Sequence, residues 1–188
     1  MNNIGKLYVI SGSSGVGKGT LLKMFLAKHP EFKLSVSCTT RQPREGEVHG
    51  VNYFFLNRDE FQKLINNDEF LEWAEFSTNK YGTSKKTVKE QLDKGVNVLL
   101  EIEVQGALQV KKKIPEAVLI FILPPSREEL EKRLRGRGTE SEESILKRLN
   151  AIEFEALESE KYDYKVVNDV IERAVSEILS IYESCRNV

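Results

Sequence analysis

The sequence predicts an α/β fold, a three-layer core around a parallel sheet, and two observations carry that expectation. Apolar runs at Leu7 to Ile10, Asn97 to Ile102, Ala117 to Leu123 and Tyr164 to Val167 are nearly continuous rather than alternating, and helical patterns separate them. Strands buried on both faces of a parallel sheet look this way. The first run leads into Gly12-Ser13-Ser14-Gly15-Val16-Gly17-Lys18-Gly19-Thr20 and then into the helix-like stretch Leu21 to Leu26. Strand, glycine-rich loop and helix in that order build a phosphate cradle: Gly12, Gly15 and Gly17 allow tight turns that expose N–H groups, the helix adds the positive end of its dipole, and Lys18 adds a full charge. A nucleoside triphosphate is the expected occupant.

The remaining elements follow in order. Lys33 to Val36 reads as a second strand. From Gly50 to Thr83 the α/β alternation breaks: Val51 to Leu56 is strand-like, and Asn57-Arg58-Asp59-Glu60 caps a short helix whose Phe61, Leu64 and Ile65 share a face. Residues 37–85 are therefore expected to form a small mixed α+β lobe inserted after the second core strand. Ser126-x-x-Glu129 is a capping box that opens a charged helix ending around Arg135, where Gly136 and Gly138 stop it. A second helix runs from near Ser141 to about Glu158, and the amphipathic stretch Ile171 to Tyr182 reads as core packing rather than an interface.

Composition sets the bounds. A chain of 188 residues suits one domain, and 28 basic against 29 acidic residues give a net charge of -1, with no global attraction to nucleic acid or an anionic membrane. Cys38 and Cys185 are far apart and the histidines are His29 and His49, so free thiols and no zinc site are expected. The first residues carry no apolar leader and no run approaches a membrane span, which makes a reducing cytoplasm the expected compartment. Whether the chain is a monomer or a homo-oligomer is left open.

A second anion site is suggested by Ser37-Cys38-Thr39-Thr40-Arg41-Gln42-Pro43-Arg44, which sets two guanidinium groups three residues apart around a proline. Their fork geometry matches a phosphate bidentately. Tyr53 and the Tyr81-Gly82-Thr83 turn add hydroxyl donors, and Glu72 beside Trp73 places a carboxylate in an apolar context. One carboxylate can accept both N1–H and N2–H₂ of a guanine, whereas O6 and N7 want donors such as Ser37 or Thr83; adenine could not satisfy the carboxylate.

On these residues the chain resembles the guanylate kinases, in their compact bacterial form, over residues 4 to 185. The stretches that carry the resemblance are Ser11 to Thr20, Ser37 to Gly50, Tyr53 to Phe55, Phe70 to Ala74, Tyr81 to Thr83, Glu101 to Gly106, Arg135 to Thr139 and Val167 to Asp169. Thr-Thr-Arg-x-Pro-Arg with the downstream Tyr and Glu is the most diagnostic, because the glycine-rich loop alone names only a superfamily. The resemblance implies a P-loop kinase core (residues 1–36, 86–125 and 160–188), a GMP-binding lobe (37–85) and a short helical lid region (126–159).

It also implies roles. ATP would lie on Ser11, Gly12, Ser13, Ser14, Gly15, Val16, Gly17, Lys18, Gly19 and Thr20, with Arg137 and Asn168. Arg41, Arg44, Tyr53 and Tyr81 would hold the GMP phosphate, Ser37, Glu72 and Thr83 would read the base, and Glu103 would line the substrate and metal side. Lys18, Arg41, Arg133, Arg137 and Arg148 would be catalytic. Mg²⁺ is the implied cofactor, held mainly by phosphates and water because Gly19 stands where a Ser or Thr ligand is usual; Thr20, Glu101 and Glu103 are candidate contacts. Lys132, Arg133, Arg135 and Arg137 around two glycines, followed by Lys147-Arg148, fit a hinged lid, with a solvated helix face as the alternative. Rival functional readings are a non-catalytic protein-binding module of the same fold and a kinase for another nucleoside monophosphate.

Overall fold

The computed structural model describes residues 4–76, 78–136 and 141–186. Arg137 and Gly138, singled out above, lie outside them. In chain order the elements are β1 (Leu7–Gly12), α1 (Lys18–Lys28), β2 (Phe32–Leu34), β3 (Cys38–Thr39), β4 (Phe54–Phe55), α2 (Arg58–Asn66), β5 (Phe70–Phe76), β6 (Asn79–Ser84), α3 (Lys85–Leu92) and β7 (Asn97–Glu101). Then come α4 (Val104–Lys113), β8 (Val118–Leu123), α5 (Arg127–Gly136), α6 (Glu142–Glu158), β9 (Tyr164–Val167) and α7 (Ile171–Arg186). A five-stranded sheet has the order β2-β7-β1-β8-β9, and a four-stranded sheet has the order β4-β3-β6-β5. No described helix is long and apolar enough to cross a membrane.

By compactness the chain divides into two units, Met1–Tyr8 with Glu31–Val118 and Val9–Pro30 with Leu119–Val188. In the first, β2 runs parallel to β7, pairing Phe32 with Asn97 and Leu34 with Leu99. The expected strand at Lys33 to Val36 therefore ends early, although Ser35 N still donates to Leu99 O. The mixed sheet occupies residues 38–84: β3 is parallel to β4 and antiparallel to β6, which is antiparallel to β5. Only Phe54 and Phe55 of the expected strand from Val51 to Leu56 are in a ladder; Val51 and Asn52 form a turn. The Tyr81-Gly82-Thr83 turn is corrected to part of strand β6. Asn57 caps α2 through a complete capping box with Glu60, and Phe61 packs with Cys38 and Phe70, flanked by Leu64 and Ile65.

In the second unit, β8 and β9 are parallel, with Ile120 opposite Tyr164 and Leu123 opposite Val167. Five of the six β8 residues are buried, which explains its unbroken apolar sequence. Helix α7 buries Ala174, Val175, Ile178 and Ile181 on one stripe and packs along α1, so the amphipathic C-terminal stretch is core. Ser126 Oγ accepts from Glu129 N at the start of α5. Gly136 is the last residue of that helix. Leu130 and Leu134 of α5 join Ile145 and Leu149 of α6 in a buried cluster, each pair spaced four residues apart.

Candidate active site

In the second unit the phosphate cradle is built from backbone. Gly15 and Gly17 have φ of 91° and 96°, left-handed values that L side chains resist, and Gly17 is the N-cap of α1. At Gly15 a Cβ would come within 2.6 Å of Leu134 Cδ2, so the loop lies directly on α5 and only glycine fits there. Helix α1 buries Leu21, Leu22 and Phe25. Its exposed first turn carries Gly19 and Thr20. Lys18 Nζ donates to Gly12 O at 2.5 Å and Ser13 O at 3.2 Å, which fixes the ammonium inside the curl of the loop.

Three residues far along the chain tie down the same loop. Asn168 Nδ2 donates to Val16 O at 2.8 Å. Arg133 NH1 donates to Asn168 O at 3.1 Å and Val16 O at 3.4 Å, while its Nε donates to Glu129 at 3.1 Å. Arg148 donates to Ser14 Oγ. The structure thus brings Lys18, Arg133, Arg148 and Asn168 to the glycine-rich loop. Arg135 turns elsewhere, pairing with Glu131 and Glu142.

The first unit holds a second polar cluster, made of side chains. Arg41 lies 5.4 Å over the Tyr53 ring and 5.8 Å from the Phe55 ring, and the Tyr53 and Tyr81 rings meet edge to face at 6.1 Å. Burial raises the Tyr53 phenol above its ordinary pKa, so it stays a donor. Arg41 NH1 and NH2 donate to the two oxygens of Glu47 at 2.9 and 2.8 Å, and Arg44 N donates to the same carboxylate at 2.7 Å. These bonds, with the Arg41 side chain foremost, lower the Glu47 carboxyl to about 2. Glu47 was not singled out in the sequence, yet its charge six residues after Arg41 was the available signal. The Arg44 side chain is exposed.

Glu72 is 4% exposed and Thr83 is fully buried. They face each other across the β5–β6 ladder, and Thr83 Oγ1 donates to Glu72 Oε1 at 2.6 Å. Burial pushes the Glu72 carboxyl above its ordinary pKa, with the Thr83 bonds pulling the other way. Burial, with Glu72 adding to it, raises the Cys38 thiol to about 11, which makes that cysteine a packing residue rather than a nucleophile. Ser37 is half-buried and its carbonyl accepts from Phe54 N at 2.9 Å. Glu101 and Glu103 are exposed at the end of β7, with Glu103 the N-cap residue of α4. Among the described residues no three His, Cys, Asp or Glu converge as a ready-made metal cage.

A charged loop that presents N–H groups and a buried carboxylate with acceptor capacity beyond Thr83 are what a triphosphate and a purine with two adjacent donors require. A family model described as guanylate kinase matches residues 4–185. A guanylate kinase of Prochlorococcus marinus (strain NATL2A) is 54% identical over 178 residues, covering 95% of this chain and 96% of that one. The Clostridium acetobutylicum guanylate kinase is 54% identical over 188 residues, covering 99% and 90%. The crystal structure of guanylate kinase from Anaplasma phagocytophilum superposes with a TM-score of 0.77 at 36% identity, covering 97% of this chain and 87% of that one.

Proposed function

The chain belongs to the guanylate kinase family and transfers a phosphoryl group from ATP to GMP, and from that premise we propose how its residues divide the task. The buried Glu72–Thr83 pair carries the substrate reading. Thr83 donates its one hydroxyl proton to the carboxylate, whose remaining lone pairs accept N1–H and N2–H₂ of guanine, while the Ser37 hydroxyl is the donor for O6 or N7. Arg41, Arg44, Tyr53 and Tyr81 hold the acceptor phosphate, and Glu103 lines the same substrate. Because a pocket built to bond a donor leaves its own polar groups unpaired when that donor is missing, the site rejects AMP strongly.

The donor lies on residues 11–20. Lys18 meets the β- and γ-phosphates, and the glycine N–H groups and the N-terminus of α1 take the rest of the charge; the hold of the loop carbonyls on the Lys18 ammonium supports this reading. Phosphoryl transfer needs alignment and neutralisation more than covalent chemistry. The acceptor is itself a phosphate with a second pKa of about 6, already mostly ionised at neutral pH, so no general base is required. Arg133 and Arg148 stiffen the loop through Val16 and Ser14, and with Arg137 they stabilise charge on the moving group; Asn168 fixes the loop from below. Residues 37–85 act as the GMP-binding lobe and 126–159 as the lid. Mg²⁺ bound to the triphosphate would supply further charge neutralisation, and Thr20 in the exposed first turn of α1 offers an oxygen donor to an ion that keeps several waters and phosphate ligands.

A coupled ADP-release assay with ATP, Mg²⁺ and GMP, dGMP, AMP, CMP or dTMP supplied singly tests this reading. Turnover confined to GMP and dGMP is expected, in keeping with a cytoplasmic enzyme of nucleotide metabolism. Turnover on another monophosphate overturns the Glu72 assignment, and GMP binding with no turnover favours the binding-module alternative.

A further inference from the structure

We propose that one face of α4, formed by Gly106, Gln109 and Lys113, positions the Glu72 carboxylate and so sets how sharply guanine is told from other purines. The inference rests on the reading of Glu72 as the guanine acceptor. Strand β5 is the edge strand of its sheet, so one side of its backbone has no strand partner. Gln109 takes that place at the residue following Glu72: Trp73 N donates to Gln109 Oε1 at 3.2 Å, and Gln109 Nε2 donates to Trp73 O at 2.9 Å. Its carboxamide satisfies both backbone groups of Trp73, as a neighbouring strand would.

Two residues before Glu72, Lys113 Nζ donates to Phe70 O at 2.8 Å. Between these two ties the β5–β6 ladder slips by one residue, from Phe70 opposite Ser84 to Glu72 opposite Thr83, leaving Leu71 as a bulge. A strand's side chains alternate between faces, so a one-residue slip would turn Glu72 to the opposite face. Holding Phe70 on one side and Trp73 on the other locks the bulge at Leu71 and keeps Glu72 opposite Thr83.

Gly106 completes the grip. A Cβ on Gly106 would stand 2.5 Å from Glu72 Oε2 and 3.1 Å from its Cδ, so the carboxylate is seated on bare helix backbone. Thr83 holds the other oxygen. Positions 106, 109 and 113 follow the i, i+3, i+7 spacing of one helix stripe. Gln109 and Lys113 are thus positioning residues, acting on substrate through Glu72.

The test compares Gly106→Ala, Gln109→Ala and Glu72→Gln in the full chain, measuring kcat and KM for GMP and for inosine monophosphate, which lacks the N2 donors, and KM for ATP. Displacing a recognition group by about 1 Å costs up to about 10²-fold. Gly106→Ala and Gln109→Ala are expected to raise KM for GMP by about tenfold to a hundredfold. KM for inosine monophosphate should rise less, with ATP KM and saturating kcat little changed. Gly106→Ala inserts the stronger helix former, so it keeps the test decisive if Gln109→Ala does not fold. If Glu72→Gln collapses the preference for GMP while both α4 variants leave it intact, or if they weaken all three nucleotides equally, the proposal is overturned and the Glu72 reading stands. If Glu72→Gln itself leaves the preference unchanged, the reading fails and the proposal with it.

Discussion

In the proposed division of the site, the groups that face a ligand around Val16 are backbone N–H groups of a loop shaped by glycines with left-handed φ and tied by Asn168, Arg133 and Arg148. Around Glu72 they are side chains from separate segments, set by strand register and by a helix that starts more than thirty residues later in the chain. The first design recognises something common to all nucleotides, a phosphate chain, and backbone suffices because every residue supplies the same donor. The second must recognise one base, so it needs a particular carboxylate at a particular depth. Burying that carboxylate carries a cost in stability, seen in its raised pKa.

The comparison breaks most visibly at Lys18. Lys18→Met should lower kcat by about 10³-fold with an unchanged circular dichroism spectrum, because the residue acts on charge in transfer and its side chain supports only its own loop. A near-normal kcat would remove it from the chemistry. Glu72→Gln should lower kcat/KM for GMP by about 10²-fold, mostly through KM, and leave KM for ATP alone; a matching rise in ATP KM would deny the separation between the two sites. Gly15→Ala is the mirror experiment. With φ of 91° and Leu134 in the way, it should cost about 1–3 kcal/mol in urea unfolding and raise KM for ATP rather than GMP.

The smallest effect concerns stability. The folded pKa of Glu72 lies above its unfolded value, so the fold favours the protonated form, and stability falls as pH rises from the unfolded pKa through the folded one. Glu72→Gln should therefore raise Tm at pH 7 by about 2 °C, and the gain should vanish once acid protonates the wild-type carboxyl. A lower Tm for the variant at pH 7 would show that the carboxylate stabilises the fold. Glu47 has the opposite sign: its folded pKa of about 2 means that its bond to Arg41 contributes fully above the ordinary carboxylate pKa and is lost progressively as pH falls from there through that lower value.

How much of each region could be read from sequence follows from the same contrast. The cradle is local, so strand, glycines, lysine and helix were legible in order, as was the helix cap at Asn57 to Glu60. The hairpin of β5 and β6 was not. Its Glu72 and Glu75 interrupt the apolar pattern, and Gly82 suggested a turn. In the structure Gly82 sits mid-strand, where a Cβ would press on Glu72 O, Phe70 and Trp73, so this glycine allows close strand approach. Gln109 and Lys113 gave no signal because their partners lie 36 and 43 residues away and the contacts are to backbone, which carries no sequence identity.

The central claim, that a buried carboxylate at position 72 reads guanine, is tested most directly by the ratio of kcat/KM for GMP to that for inosine monophosphate in the wild-type chain and in Glu72→Gln. The two substrates share the same phosphate, sugar and O6, and differ in the N2 donors alone. A large ratio in the wild type that collapses toward one in the variant is the predicted result. A ratio that stays the same in both proteins would contradict the account and move base recognition away from Glu72.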